Sequence, residues 1–395
     1  MENQPADFST AVLVIGAGPS GLAAAACLAA KLIPVLILER DDAVAPLWRR
    51  RTYARLRLQQ HKRYCELPLF GLPPSAPTFL PCSDFIRYLD DYAAALGLEQ
   101  LLRLRRRVDS AEFDPPSARW RIDAAYLETG AVEKYDARFL VVATGEDDEP
   151  LLPIGISGLD RFSGETVHSN QFRTGEIYQG LDVLVVGSGN SGMEIAYDLA
   201  ECGARASLVV RRELHLVTRE MLAFAMGMAK YLPVSLVDLM VLLWCYIWFG
   251  NTSKYGLHRP SKGPIYLRHN APIIYPVVDS GAFTKIKSGD IEVLPAISTI
   301  EDNNVITFEN GKRRRFDAII FATGYRSTVK NWLKGDDYLI GEDGLSSRGF
   351  PPHLKGKNGL YCVGLSKRGL HGVAEDVVCI ADDIGSVFHR KEKQT

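Results

Sequence analysis

A ten-residue block occurs twice in this chain. Val12-Leu13-Val14-Ile15-Gly16-Ala17-Gly18-Pro19-Ser20-Gly21 returns as Val183-Leu184-Val185-Val186-Gly187-Ser188-Gly189-Asn190-Ser191-Gly192, with three substitutions between the copies. Each copy reads as a buried parallel strand, a Gly-x-Gly-x-x-Gly turn and a helix, the helices covering Leu22 to Leu32 and Met193 to Cys202. The first glycine of such a turn permits its tightness. The second lets backbone approach a pyrophosphate, and the third lets helix pack on strand. The anion then rests at the helix N-terminus, where free N–H groups and the helix dipole favour negative charge. One such turn is a weak signal; two in full strand-turn-helix context point to two dinucleotide sites.

The residues after each block separate the two sites. The strand Pro34-Val35-Leu36-Ile37-Leu38 ends in Glu39, spaced so that a carboxylate can accept hydrogen bonds from an adenosine ribose, which suits FAD or NAD. After the second block, Ala206-Ser207-Leu208-Val209-Val210 ends in Arg211-Arg212. A 2′-phosphate is repelled by an acid and matched by a guanidinium fork, so the second nucleotide is expected to be NADPH. Two further strands share an ending, Phe139 to Gly145 and Ala318 to Gly324, each closing on Ala-Thr-Gly. Small residues there let the chain pass close to a bound dinucleotide and switch between domains.

The expected architecture is therefore α/β, with two three-layer Rossmann-like domains, the NADPH domain inserted into the FAD domain. The boundaries read as 1–169 for the first part of the FAD domain, 170–325 for the NADPH domain with an apolar helical insert over about 215–275, and 326–395 for the FAD domain's return. In that return, Gly359 to Gly364 reads as a buried strand and Leu370 to Val387 as a helix that helps complete the flavin pocket. Ala111 to Ala124 and Ala296 to Phe308 alternate as antiparallel hairpins, the latter turning at Asn303-Asn304.

A chain of 395 residues, 47% hydrophobic and 24% charged, can bury more than one core. Forty-six basic against forty-seven acidic residues leave a formal charge of -1, which offers no global field for nucleic acid. The basic run Arg103 to Arg107 has no aromatic interleaving and reads as a solvated face. Seven scattered cysteines, at 27, 65, 82, 202, 245, 362 and 379, form no Cys-x-x-Cys and no zinc spacing, so no metal site is expected. Their absence from such a pair also removes the electron relay of a flavoprotein disulfide reductase.

Residues 1 to 10 carry two acids and no base, unlike a secretory or transit segment. Within 231–249 lies an apolar stretch that Pro233 and Asp238 interrupt; it reads as a buried or interfacial helix rather than a span. The expected location is cytoplasmic, with peripheral contact through 231–249 at the endoplasmic reticulum surface as a further option.

The two blocks, the stretch Phe162-Ser163-Gly164-Glu165-Thr166-Val167-His168-Ser169-Asn170-Gln171-Phe172 and Ala322-Thr323-Gly324-Tyr325 resemble class B flavin monooxygenases. Nearly the whole chain resembles the plant YUCCA branch. The carrying segments are Leu38-Glu39-Arg40, Leu47-Trp48 with Arg51-Thr52-Tyr53, Val142 to Glu146, Gly189 to Glu194, Lys254 to Leu257 with Arg259-Pro260, and Gly324 to Ser327. The resemblance implies FAD at Gly16, Gly18, Pro19, Ser20, Gly21, Glu39, Arg40, Leu47, Trp48, Thr144 and Gly145. It implies NADPH at Gly187, Gly189, Asn190, Ser191, Gly192, Arg211 and Arg212, with Ala322, Thr323, Gly324 and Tyr325 also near cofactor.

The activity so implied is oxidative decarboxylation of indole-3-pyruvate to indole-3-acetate, the hormone auxin, with dioxygen, through a C4a-peroxyflavin. The class carries an asparagine near the flavin, and Gln59 stands at that position with a longer amide. His168 reads as a packing or linker group rather than a base. For the substrate, Arg55, Arg57, Arg326 and Arg368 are candidate carboxylate partners, and Trp48, Tyr53 or the region of Trp244 candidate indole contacts. Three alternatives remain: a related monooxygenase acting on soft nitrogen or sulfur, a disulfide reductase, and a non-enzymatic flavin-binding protein. Nothing in the sequence sets the oligomeric state.

Overall fold

The computed structural model describes residues 7–153, 155–270, 276–347 and 352–392. Residues 271–275, the end of the expected insert, lie outside them. Two compact units emerge: 1–50, 62–149 and 325–395 form the first, and 51–61 with 150–324 the second.

In the first unit, Val12, Leu13, Val14 and Ile15 are almost fully buried, as a strand covered on both faces must be. Their strand, Asp7–Ile15, pairs in parallel with Val35–Leu38 on one side and Val132–Val142 on the other. Val132–Val142 is long enough to serve two partners. Its first half pairs antiparallel with Arg119–Tyr126, and its last three residues take the returning strand Leu360–Cys362 in parallel. Arg106–Asp114 completes the expected hairpin with Arg119–Tyr126. One face of the sheet is packed by helix Pro19–Ala29, against which the C-terminal helix Gly369–Glu392 lies. The other face carries Leu13, Ile15 and Leu140 against Trp120, Trp332 and Leu339.

The second unit has a five-stranded parallel sheet in the order Ile291–Leu294, Arg205–Val209, Asp182–Val186, Ala318–Phe321, Glu165–His168. Helix Asn190–Glu201 packs on it. On its far face Leu184, Val209, Ile319 and Phe321 meet Ile300, Ile306 and Phe308 of a three-stranded antiparallel sheet, which gives three layers. That sheet contains the expected hairpin, and its turn residues Asn303 and Asn304 have φ of 61° and 62°. Two successive left-handed residues match the twist of the flanking strands, and asparagine tolerates that conformation better than most residues.

The expected boundaries need correcting in two places. Residues 150–169 belong with the second unit, because Glu165–His168 is an edge strand of its sheet. Residues 51–61 also join it: Tyr53 is buried in its core beside Phe172, and the Ala54 N–H donates to the Arg173 carbonyl at 3.0 Å.

The insert holds helices Arg219–Met228, Val234–Phe249 and Pro264–Asn270. Val237, Val241, Cys245 and Phe249 recur every four residues and form the buried stripe of the middle helix. Asp238, which breaks the apolar run, is buried for a local reason. Its carboxylate accepts from the N–H groups of Ile265 at 2.7 Å and Tyr266 at 3.0 Å, satisfying the open amides at the start of the next helix.

Candidate functional site

In the first turn, Gly16 has φ +107°, and a Cβ there would sit 2.6 Å from the Ala143 carbonyl oxygen. A Cβ on Gly21 would lie 1.8 Å from the oxygen of Gly16. Both glycines are thus required by the protein itself, one by conformation and crowding, the other by helix–strand contact. Gly18 differs: its φ is −72°, and a Cβ there would meet nothing within 4 Å. Neither backbone strain nor packing asks for glycine at 18, and close approach of a ligand does.

Two buried polar atoms fit that reading. Among the described residues Thr144 Oγ1, at the strand end that crosses the turn, has no hydrogen-bond partner, nor has Glu146 Oε2. Burial pushes the Glu146 carboxyl up to about 7. A dinucleotide beside them offers the missing partners. Glu39 is buried at the end of its strand, where its carboxylate accepts from Ala17 N–H at 2.7 Å and Asp41 N–H at 2.9 Å. Burial raises its pKa while those two amides pull it down. The acid therefore secures the glycine turn, and each oxygen keeps a lone pair for a ribose hydroxyl. Leu47 and Trp48 lie on the short helix Pro46–Arg50, tied to the turn by Ala45 N–H donating to the Ala17 carbonyl at 2.9 Å. Arg40 is held in an ion pair with Asp148 at 2.9 Å. The return segment reaches the same turn, since a Cβ on Gly364 would fall 2.4 Å from Ser20 Oγ.

The second turn repeats the geometry. Gly187, at φ +117°, would place a Cβ 2.3 Å from the Ala322 oxygen, and Gly192 would place one 1.9 Å from the Gly187 oxygen. Gly189, at φ −74°, would meet nothing within 4 Å. Arg211 and Arg212 follow strand Arg205–Val209, are exposed, and make no ion pair with another described residue. Thr323, unlike Thr144, is already engaged, its hydroxyl donating to the Leu151 carbonyl. Gly324 O accepts from Leu151 N–H at 2.9 Å and lies 3.1 Å from His168 Nε2. Ala322, Thr323 and Gly324 are thus a packed crossing, and Tyr325 opens the return to the first unit.

Packing fixes two residues of the Phe162 to Phe172 stretch. A Cβ on Gly164 would collide with the Asp317 oxygen at 2.3 Å, and Phe172 stacks on Tyr178. His168 is buried, which lowers its pKa, so its neutral ring binds Gly324 O as a linker group.

Asn190, Glu194 and Asp198 stand at i, i+4 and i+8 on the second-turn helix, one polar stripe with three assignments. Asn190 Oδ1 accepts from Val278 N–H at 2.8 Å, and Asp198 Oδ2 from Gly175 N–H at 2.7 Å. Glu194 is the centre of a network: Gln59 Nε2 donates to Oε1 at 2.6 Å, Ser280 Oγ donates to it at 2.9 Å, and the Tyr53 hydroxyl donates to Oε2. Arg219 lies 3.6 Å away. Sequence reading assigned Glu194 no role, although a four-residue polar spacing on a buried helix was visible.

Of the cations proposed for a substrate carboxylate, three are occupied. Arg55 pairs with Asp198 at 3.4 Å, Arg326 with Glu149 at 2.8 Å, and Arg368 with Asp376 at 2.8 Å and with Glu375. Arg57 is exposed and forms no ion pair with a described residue. Trp48 packs edge-on to Phe85 and Trp244 edge-on to Phe224, while the Tyr53 hydroxyl is committed to Glu194. In the basic run, Arg105, Arg106 and Arg107 pair with Glu128, Glu133 and Asp109, as a solvated face would.

A protein with a flavin-type and a pyridine-nucleotide-type turn belongs to the two-dinucleotide oxidoreductases. The chain is a member of the flavin-binding monooxygenase-like family, whose model matches residues 9–369. It is 42% identical over 381 residues to the probable indole-3-pyruvate monooxygenase YUCCA10 of Arabidopsis thaliana, covering 96% of this chain and 98% of that one. It is likewise 42% identical over 403 residues to indole-3-pyruvate monooxygenase YUCCA1 of Oryza sativa subsp. japonica, covering 100% and 97%. A flavin-containing monooxygenase from Stenotrophomonas maltophilia shares the fold, with a TM-score of 0.71 at 20% identity over 96% of this chain and 99% of that one. So does an oxidized steroid monooxygenase bound to NADP, with a TM-score of 0.72 at 19% identity over 97% and 86%.

Proposed function

We propose that the chain is an FAD- and NADPH-dependent monooxygenase that converts indole-3-pyruvate to indole-3-acetate. The observation that carries the cofactor reading is the pair of middle glycines, Gly18 and Gly189, each facing open space in an ordinary backbone conformation. Gly18, Glu39, Thr144 and the N-terminus of Pro19–Ala29 would hold FAD. Gly189, the N-terminus of Asn190–Glu201, Arg211 and Arg212 would hold NADPH, the arginines neutralising its 2′-phosphate. Bound flavin supplies the hydride acceptor and the oxygen-activating centre. The substrate reading is supported by the names of full-length relatives at 42% identity. It is tested by adding oxygen to NADPH-reduced protein with indole-3-pyruvate or a thioether. Indole-3-acetate formed with matching oxygen uptake is expected; oxygenation of the thioether alone would assign the chain to soft-nucleophile chemistry.

We also propose a peripheral membrane contact for the insert, and a cytoplasmic location with association at the endoplasmic reticulum surface. Leu239, Leu243, Tyr246, Ile247 and Trp248 are all more than half exposed on a helix whose opposite side is packed. Within residues 214–270, Lys230, Lys254 and Lys262 are exposed against one exposed acid among the described side chains, Glu220. An apolar face with aromatic and basic flanks suits an anionic lipid interface. Among the described residues no helix is long and apolar enough to cross a membrane. The protein is expected to sediment with phosphatidylserine-containing vesicles, and Leu239→Glu with Leu243→Glu to stay in solution; equal partitioning of both would refute the contact.

A further inference from the structure

Gln59 brings to the second unit an amide whose orientation is fixed by its neighbour. Carboxylate oxygens only accept, so the contact of 2.6 Å to Glu194 Oε1 must be made by the Gln59 N–H₂. The opposite end of the amide, Oε1, is buried and has no hydrogen-bond partner among the described residues. Glu194 is itself held from three further sides, by the Tyr53 hydroxyl, by Ser280 Oγ at 2.9 Å and by Arg219 at 3.6 Å. Arg219 Nη2 also donates to Ser280 Oγ at 3.1 Å, which leaves that hydroxyl's proton directed to Glu194. Such a clamp prevents the amide from turning over, and it leaves a buried acceptor that no described residue satisfies.

We infer that Glu194 is a positioning residue for the pyridine nucleotide: it locks the Gln59 carboxamide so that Oε1 accepts a hydrogen bond from the carboxamide N–H₂ of the nicotinamide ring. The inference rests on the reading that this unit binds NADPH. Arg211 and Arg212 suit the 2′-phosphate of the adenosine half, and on the nicotinamide ring the carboxamide is the only N–H donor. A locked acceptor fixes which way that carboxamide points and so which face of the ring is presented.

The test uses the FAD-loaded protein and two oxidised ligands measured by calorimetry, NADP⁺ and its 3-acetylpyridine analogue, which has a methyl ketone in place of the carboxamide and no N–H. Wild type should bind NADP⁺ about tenfold more tightly than the analogue. Glu194→Met, which removes the acceptor that holds Gln59, and Gln59→Leu should each bring that ratio close to one. Affinity for adenosine 2′,5′-bisphosphate, which reports the adenosine end and the fold of the unit, should not change in either variant. Gln59→Leu leaves Tyr53, Ser280 and Arg219 around Glu194 and carries the test if the Glu194 variant does not fold. A wild-type ratio near one, or a full tenfold preference surviving in Gln59→Leu, overturns the inference. Failure of the wild-type protein to bind the bisphosphate would instead refute the NADPH reading beneath it.

Discussion

In the first unit the Ala-Thr-Gly that crosses the glycine turn leaves Thr144 Oγ1 buried without a partner among the described residues, whereas in the second the same tripeptide places Thr323 Oγ1 on the Leu151 carbonyl. The lips of the two turns differ in the same sense. Glu39 is buried and tied to the turn by two backbone amides, while Arg211 and Arg212 stand exposed without an ion pair to a described residue. A buried, pre-tied carboxylate beside unsatisfied polar atoms suits a resident cofactor that leaves rarely. Exposed guanidinium groups suit a ligand that arrives from solvent, is drawn in by its charge and leaves again each turnover. One scaffold thus occurs twice, and the residues flanking it divide the labour.

The comparison is broken most severely at the middle glycines. Because Gly18 and Gly189 have ordinary φ and open space, alanine at either should leave the thermal midpoint of the ligand-free protein within a few degrees of wild type. Gly18→Ala should weaken FAD by about a hundredfold, since the added methyl takes the place of a pyrophosphate oxygen. Gly189→Ala should keep its FAD and lose NADPH affinity by a similar factor. Spectroscopic flavin content and calorimetry read the two separately, and a Gly18→Ala protein that purifies fully flavinated would show that the first turn does not hold the cofactor.

Most of this scaffold was legible because it is local. Strand, turn and helix follow one another without interruption in each block, over residues 7–29 and 182–201, and the Asn303-Asn304 turn follows from two side chains that accept left-handed backbone. What was not legible depends on distant partners. Tyr53 lies early in the chain yet is buried with Phe172 in the second core, so the segment 51–61 was placed with the wrong unit. Arg326 and Arg368 looked available for a substrate carboxylate until Glu149, Glu375 and Asp376 were seen beside them. Thr144 and Thr323 sit in identical tripeptides, and only the neighbouring chain distinguishes an open hydroxyl from an occupied one. Glu194 lies at the end of the Gly189 to Glu194 segment, but its role depends on residues 53, 59, 219 and 280, which no spacing rule connects.

The assignment of distinct nucleotides to the two turns is tested most directly by anaerobic reduction of the bound flavin with NADPH and with NADH, in wild type and in Arg211→Ala combined with Arg212→Ala. Removing both guanidinium groups should raise the Kd for NADPH by roughly ten- to a hundredfold, the weight of one or two charge-assisted contacts to a phosphate, and leave NADH nearly unchanged. Equal loss for both nucleotides, or no loss for either, would contradict the account.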